Sequence, residues 1–177
     1  MKLKFKLSPL KRAIVSAIAF GFTILGTQSH ADTGTSKMSV SATIKHSCSI
    51  DTTPMTFGAY AGVVANASTA LEASATVIST CTSGAAALIT MNAGASAGSS
   101  SDDVPVRRMA SDAGDYLVYQ VYSDVSQETI WGNTAPTGVA FTGTGSPQTN
   151  KVYGNIPSAQ MVPEGDYSDQ IIVTITY

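Results

Sequence analysis

Few residues in this chain could do covalent chemistry, and their spacing argues against it. Once residues 1–31 are set aside, His46 is the one histidine left, two positions before Cys48. A lone imidazole on a stretch of alternating apolar and polar residues lacks both a second metal ligand and a carboxylate to orient it as a base. No Gly-x-Ser-x-Gly elbow occurs, and Ser47 beside His46 is adjacency in sequence, not a triad. Asp102-Asp103 lies in a Ser/Gly-rich tract and reads as solvated charge, not a catalytic pair. Asp124 and Glu128 flank a turn, where Asp caps its own backbone. Glu164, Asp166 and Asp169 crowd around Gly165 without the spacing of a calcium loop, which leaves turn chemistry. Gly143-Thr144-Gly145 precedes no helix and reads as a turn rather than a phosphate cradle. The expectation is a protein that is not an enzyme, with no catalytic residue, metal, cofactor or small-molecule substrate.

A thiol pair is the chemistry that remains, and its meaning depends on compartment. Lys2, Lys4, Lys6, Lys11 and Arg12 form a basic start, Ala13 to Gly26 is uncharged and apolar, and Ser29-His30-Ala31 offers small residues to a signal peptidase. The reading is a leader over 1–31, cleaved after Ala31; the apolar run is short for a bilayer and no stop-transfer charges follow it. Two cysteines in an exported chain, Cys48 and Cys81, are expected to form one disulfide, because an oxidising compartment lets it persist. A metal or redox pair would call for C-x-x-C spacing or clustered histidines. The whole chain has 10 basic and 12 acidic residues; five basic ones leave with the leader, so five face twelve and the net charge becomes −7. With Arg107-Arg108 as its one basic pair, such a domain is a poor match for a phosphate backbone, so nucleic acid is not an expected partner.

The elements that position these residues read as strands. Ala, Gly, Ser, Thr and Val are abundant and Leu, Lys and Glu scarce, which favours strands and turns over helices. Met38, Val40, Ala42, Ile44, His46 and Cys48 share one face of an alternating stretch. Further strands are expected over Ser74–Cys81, Ala86–Asn92, Tyr116–Ser123, Val139–Thr142, Lys151–Ile156 and Tyr167–Tyr177. Breakers separate them, notably Asn133–Gly138, Gly143–Pro147 and Pro163-Glu164-Gly165. Residues 93–103 form the longest connection and are expected to be mobile. Seven or eight short strands predict an all-β, immunoglobulin-like two-sheet sandwich over 48–177, preceded by a segment 32–47.

Three stretches resemble the spore coat protein U domain family, which includes the pilins of archaic chaperone–usher systems. They are ATIKHSCSIDTTPMTFG from Ala42 to Gly58, LVYQVYSDVSQETIWG from Leu117 to Gly132, and VYGNIPSAQMVPEGDYSDQIIVTITY from Val152 to Tyr177. The family's pattern VYG-x-IP…Q…P-x-G-x-Y-x-D is matched in the last by Val152, Tyr153, Gly154, Ile156, Pro157, Gln160, Pro163, Gly165, Tyr167 and Asp169. The resemblance implies a surface pilus subunit that supports adhesion and biofilm formation. Its partners would be a periplasmic chaperone, an outer-membrane usher and other copies or related subunits. The alternatives are a glycan-binding adhesin using Tyr116, Tyr119, Tyr122 and Trp131, or a non-filamentous spore or cyst coat protein.

The terminal alternation of Tyr167, Asp169, Ile171, Val173, Ile175 and Tyr177 has no hairpin after it to cover its far edge. An unpaired apolar edge invites aggregation unless another strand is supplied. Pilus subunits receive one from a chaperone and then from the next subunit, so the sandwich is expected to be incomplete. Gly165, Tyr167, Ile171, Val173, Ile175 and Tyr177 are then the groove and chaperone-recognition residues. Met38, Val40, Ala42 and Ile44 are read as the donor strand; the rival reading makes them the domain's own first strand.

Overall fold

The computed structural model describes residues 30–98 and 101–177, and the expected leader falls outside these apart from its last two residues. The chain divides into two units, Met1–Ser41 and Ala42–Tyr177. In the first, the described residues 30–41 carry no regular structure. The second is all β, with eight strands and no helix among the described residues: β1 Cys48–Thr52, β2 Leu71–Cys81, β3 Ala86–Met91, β4 Arg107–Ala110, β5 Tyr116–Tyr122, β6 Val139–Thr142, β7 Gln148–Ile156 and β8 Val173–Thr176.

Two antiparallel sheets form, one ordered β1-β2-β7-β5-β4 and the other β6-β3-β8. Alternation drives the layering. Along β2, Val77, Ser79 and Cys81 are buried while the residues between them are less so, as a pleated strand with one face on a core requires. Val77, Leu117, Val121, Val152 and Ile156 of the larger sheet pack with Ile89 and Met91 of the smaller one. Trp131, fully buried, donates its indole N–H to the Ile89 carbonyl at 2.9 Å, so the ring fills the core without stranding its polar atom. Cys48 and Cys81 are directly opposed in the β1–β2 register and joined by a disulfide.

Several strands differ from expectation, each for a physical reason. The alternating stretch ahead of Cys48 carries no strand structure: β1 begins at Cys48, and Met38, Val40 and Ile44 are 87%, 87% and 85% exposed. The expected strand Tyr167–Tyr177 shortens to Val173–Thr176. Ahead of it the backbone leaves one sheet for the other: Ser168 bridges Ala110 at the β4 edge, and Ile172 then exchanges bonds with Asn92 beyond β3. Gly165 therefore sits in a bend, Tyr167 lies beside a single bridge and Tyr177 falls just past the ladder.

Strand β4 has no counterpart in the sequence reading, where Arg107-Arg108 figures only as the domain's one basic pair. Arg107 is instead fully buried. It donates to the carbonyls of Met91 (3.1 Å), Asn92 (2.8 Å) and Trp131 (2.7 Å) and to Gln120 Oε1 (2.6 Å). Burial pulls its guanidinium down to about 10, still charged at neutral pH. The planar fork of an arginine can serve several converging acceptors at once, and here it ties the end of β3 to β5 and to the Trp131 turn. Arg108 donates to Ser96 and Ala97 carbonyls and lies 4.1 Å over the Tyr116 ring.

Candidate functional site

Strands β1 and β4 end the larger sheet and β6 and β8 the smaller, each with a single ladder among the described residues, and a cleft opens beside β8. Strand β8 pairs with β3 alone, in the register Leu88↔Thr176 to Met91↔Val173. Strand β1 pairs with β2 alone. Past the end of β1 opens a cleft of about 1360 Å³, bordered by residues 52–64 on one side and 160–171 with Val173 of β8 on the other. Its floor is core: Val77 of β2, Val121 of β5, Val152 and Ile156 of β7, and Met91 of β3. Ile171, Val173 and Ile175 are half-buried against that core while Thr174 and Thr176 face out. A trough over the core beside the free edge of β8 offers a further strand backbone bonds along that edge and sockets for alternate side chains.

Residues of the family-like pattern build this cleft. Gly154 lies under Met55 and Phe57: a Cβ there would come within 2.8 Å of Phe57 Cζ and closer still to Met55 Sδ. A glycine is what lets both side chains lie flat on β7. Tyr60 donates its hydroxyl to the Pro157 carbonyl (2.7 Å) and accepts from the Gln160 N–H (2.9 Å), which braces the 52–64 rim against the other. The Gln160 side chain then acts as a strand of one residue, its Oε1 accepting from Val118 N–H and its Nε2 donating to Val118 O, both at 2.8 Å. Tyr167 donates to the Pro163 carbonyl and closes the turn around Gly165.

Asp169 anchors the second rim. Its carboxylate accepts from the Tyr119 hydroxyl (2.6 Å) and from the backbone N–H groups of Ala95 (2.8 Å) and Ser96 (3.2 Å). Burial, with the bond to Asp169, holds the Tyr119 phenol well above its ordinary range. The loop expected to be mobile is thus pinned at Ala95 and Ser96. Asp169 is spent on these bonds, and no cluster of three or more metal-ligating side chains occurs among the described residues. Asp124 caps its own turn, accepting from Ser126, Glu128 and Thr129, and is held down at about 2 by those bonds.

Of the aromatic residues weighed for a glycan surface, Trp131 and Tyr119 are core, and Tyr116 is covered on one face by Arg108. They do not form an exposed row. Met38, Val40, Ala42 and Ile44 stand exposed in a stretch without strand structure. Among the described residues no helix is long and apolar enough to cross a membrane.

The family model for the Spore Coat Protein U domain matches residues 34–174. This chain belongs to that family. It is 35% identical over 179 residues to Protein U of Myxococcus xanthus, an alignment covering 97% of this chain and 100% of the other. Among solved structures it resembles the chaperone–tip adhesion subunit pre-assembly complex, CsuC–CsuE, from archaic chaperone–usher Csu pili of Acinetobacter baumannii. The TM-score is 0.53 at 19% identity, over 76% of this chain. This chain spans 40% of that one, and the likeness is one of fold. The matched residues run from Gly34 in the exposed segment through both cleft rims to Thr174, the second residue of β8.

Proposed function

We propose that this chain is a structural subunit of a surface pilus, exported through the periplasm and assembled by the chaperone–usher route through donor-strand complementation. The observation that carries the reading is the open cleft, floored by the core, beside the free edge of β8, in a chain whose Met38–Ile44 segment has strand alternation and lies exposed. A periplasmic chaperone fills the cleft first, an outer-membrane usher passes the subunit on, and a neighbouring subunit's segment then replaces the chaperone. The fold likeness to a chaperone-bound tip subunit supports the first step. The assembled fibre supports adhesion and biofilm formation and has no substrate to turn over.

A non-filamentous spore or cyst coat is the second reading, favoured by the family's description and by the identity to Protein U. The deciding experiment is periplasmic expression of the wild-type chain with and without its chaperone, followed by electron microscopy of cells that have or lack the gene. Dependence on the chaperone for soluble protein, and gene-dependent fibres, are expected. A stable, monodisperse chain made without any chaperone would refute the incomplete-sandwich mechanism; chaperone dependence without fibres would favour the coat.

A further inference from the structure

A protease that reads basic side chains has few places to act on this fold. Beyond residues 1–31 the chain holds five such side chains: Lys37, Lys45, Arg107, Arg108 and Lys151. Three of them belong to strands whose backbone is already in a ladder. Arg107 and Arg108 open β4, paired with Tyr119 and Val118 of β5. The Arg107 side chain is wholly buried, and that of Arg108 is tied to the Ser96 and Ala97 carbonyls. Lys151 stands opposite Thr76 in β7, a strand flanked by both β2 and β5. Cutting beside any of the three requires part of the larger sheet to open first.

Lys37 and Lys45 sit differently. Every residue from 32 to 47 is exposed and none of them is in a strand. Exposed backbone of this kind is where proteolytic nicking concentrates. Met38 follows the first lysine and His46 the second, so neither bond carries the rigid proline ring that would keep it out of an active site. The two lysine bonds bracket the alternating stretch, and between them lies MSVSATIK, Met38 to Lys45. Ordered bonding resumes just beyond. Ser47 donates its N–H to Thr82 Oγ1 (3.1 Å), its carbonyl accepts from Thr82 N–H (2.9 Å), and Cys48 is joined to Cys81. A cut after Lys45 therefore leaves β1 anchored and the sandwich whole.

We propose that this segment is a processing site: an endoprotease that reads lysine hydrolyses the Lys37–Met38 and Lys45–His46 bonds and excises Met38–Lys45 from the free subunit. At each bond water gives a hydroxyl to the lysine carbonyl and a proton to the released amine. The lysine ammonium fits the acidic specificity pocket of such an enzyme. What the cut does rests on the pilus-subunit reading above. A clipped subunit keeps its cleft, and with it capture by the chaperone, but has lost the stretch it would lend. It ends the fibre it joins, so the protease limits fibre length.

The test begins with limited tryptic digestion of the folded chain, co-purified with its chaperone and read by intact mass. Cutting after Lys37 and Lys45 is expected to run at least about a hundredfold faster than cutting at Arg107, Arg108 or Lys151. The product begins at His46, keeps its disulfide and stays on the chaperone. Comparable cutting at Arg108 or Lys151, or survival of both lysine bonds, overturns the site. Lys37→Gln with Lys45→Gln is expected to abolish the cut at unchanged yield, because both side chains are exposed. Among free subunits from cells that make the protein, chains beginning at His46 are expected; if all begin at the leader junction, processing in the cell is overturned. A minority of clipped subunits mixed with intact ones is expected to shorten fibres severalfold, whereas the double glutamine variant carried through the same digestion leaves their length unchanged. Equal lengths in both mixtures overturn the terminating role and leave the pilus reading standing. Intact subunits that never form fibres remove the pilus reading and the terminating role with it, while the digestion masses still decide the site.

Discussion

Aspartate substitutions along residues 39–44 separate the two roles that the exposed segment could have. Val40 is 87% exposed, so almost the whole side chain is available to be buried on insertion. Burying a valine contributes about 2 kcal/mol relative to leaving it in water. In Val40→Asp that gain is lost, and an unpartnered carboxylate enters an apolar trough at a further cost of several kcal/mol. The sum, about 4–6 kcal/mol, corresponds to a donor strand weakened roughly 10³- to 10⁴-fold. Ile44→Asp falls in the same class. Ser39→Asp and Thr43→Asp point to the other face and change binding by less than about tenfold. Each variant is assayed twice, by co-purification with the chaperone and by polymerisation after its release. Val40→Asp is expected to give an intact chaperone complex and no fibres. Loss of the complex would place the segment in the subunit's own core and refute the donor assignment; wild-type fibres would refute it as well.

Removing the disulfide by Cys48→Ser with Cys81→Ser frees a loop with a sequence separation of 33 and costs about 4 kcal/mol in the chain-entropy account. Periplasmic yield is expected to fall sharply, and two alkylatable thiols in native wild-type protein would contradict the bond. Arg107→Met leaves the Met91, Asn92 and Trp131 carbonyls without this donor, and each buried acceptor left unsatisfied costs about 1–3 kcal/mol. Arg107→Lys, unable to span the same acceptors, recovers only part of it; unchanged yield and tryptophan fluorescence for Arg107→Met would refute a supporting role.

Legibility in the sequence followed the range of the interactions involved. Strands β2, β3, β5, β6 and β7 announce themselves, because alternation is a local pattern and their burial lies within one chain. The cysteine pairing was legible too, since two cysteines in an exported chain have one partner each. Strand β4 was not: its four residues, two of them arginines, show no apolar alternation, and only packing under Trp131 and against the end of β3 makes Arg107 a core residue. The break before β8 escaped for a similar reason. Asp169 continues the alternation of its neighbours, yet its carboxylate is claimed by Tyr119 fifty residues earlier in the chain. For Met38–Ile44 the pattern states that one face wants burial, and pattern alone does not say whose core will bury it. The free edge beside the cleft was legible in the terminal alternation, but the bracing of the cleft was not, because Gly154 and Gln160 have no signal of their own until Met55, Phe57 and Val118 are seen against them.

Tension on the exposed N-terminal segment would enter the sandwich at Ser47 and Cys48. Strand β1 is five residues at the border of its sheet, and pulled from its end it would peel, breaking its backbone bonds in sequence under a small force. The bridge from Cys48 to its direct neighbour Cys81 redirects that load into β2, eleven residues long and flanked by both β1 and β7. Detaching β2 means shearing two ladders at once, so many bonds must yield together. The Ser47 carbonyl, held by Thr82 N–H at 2.9 Å, shares the same anchor point. Placing the one covalent cross-link at the root of the segment thus makes a short edge strand as hard to strip as the middle of its sheet.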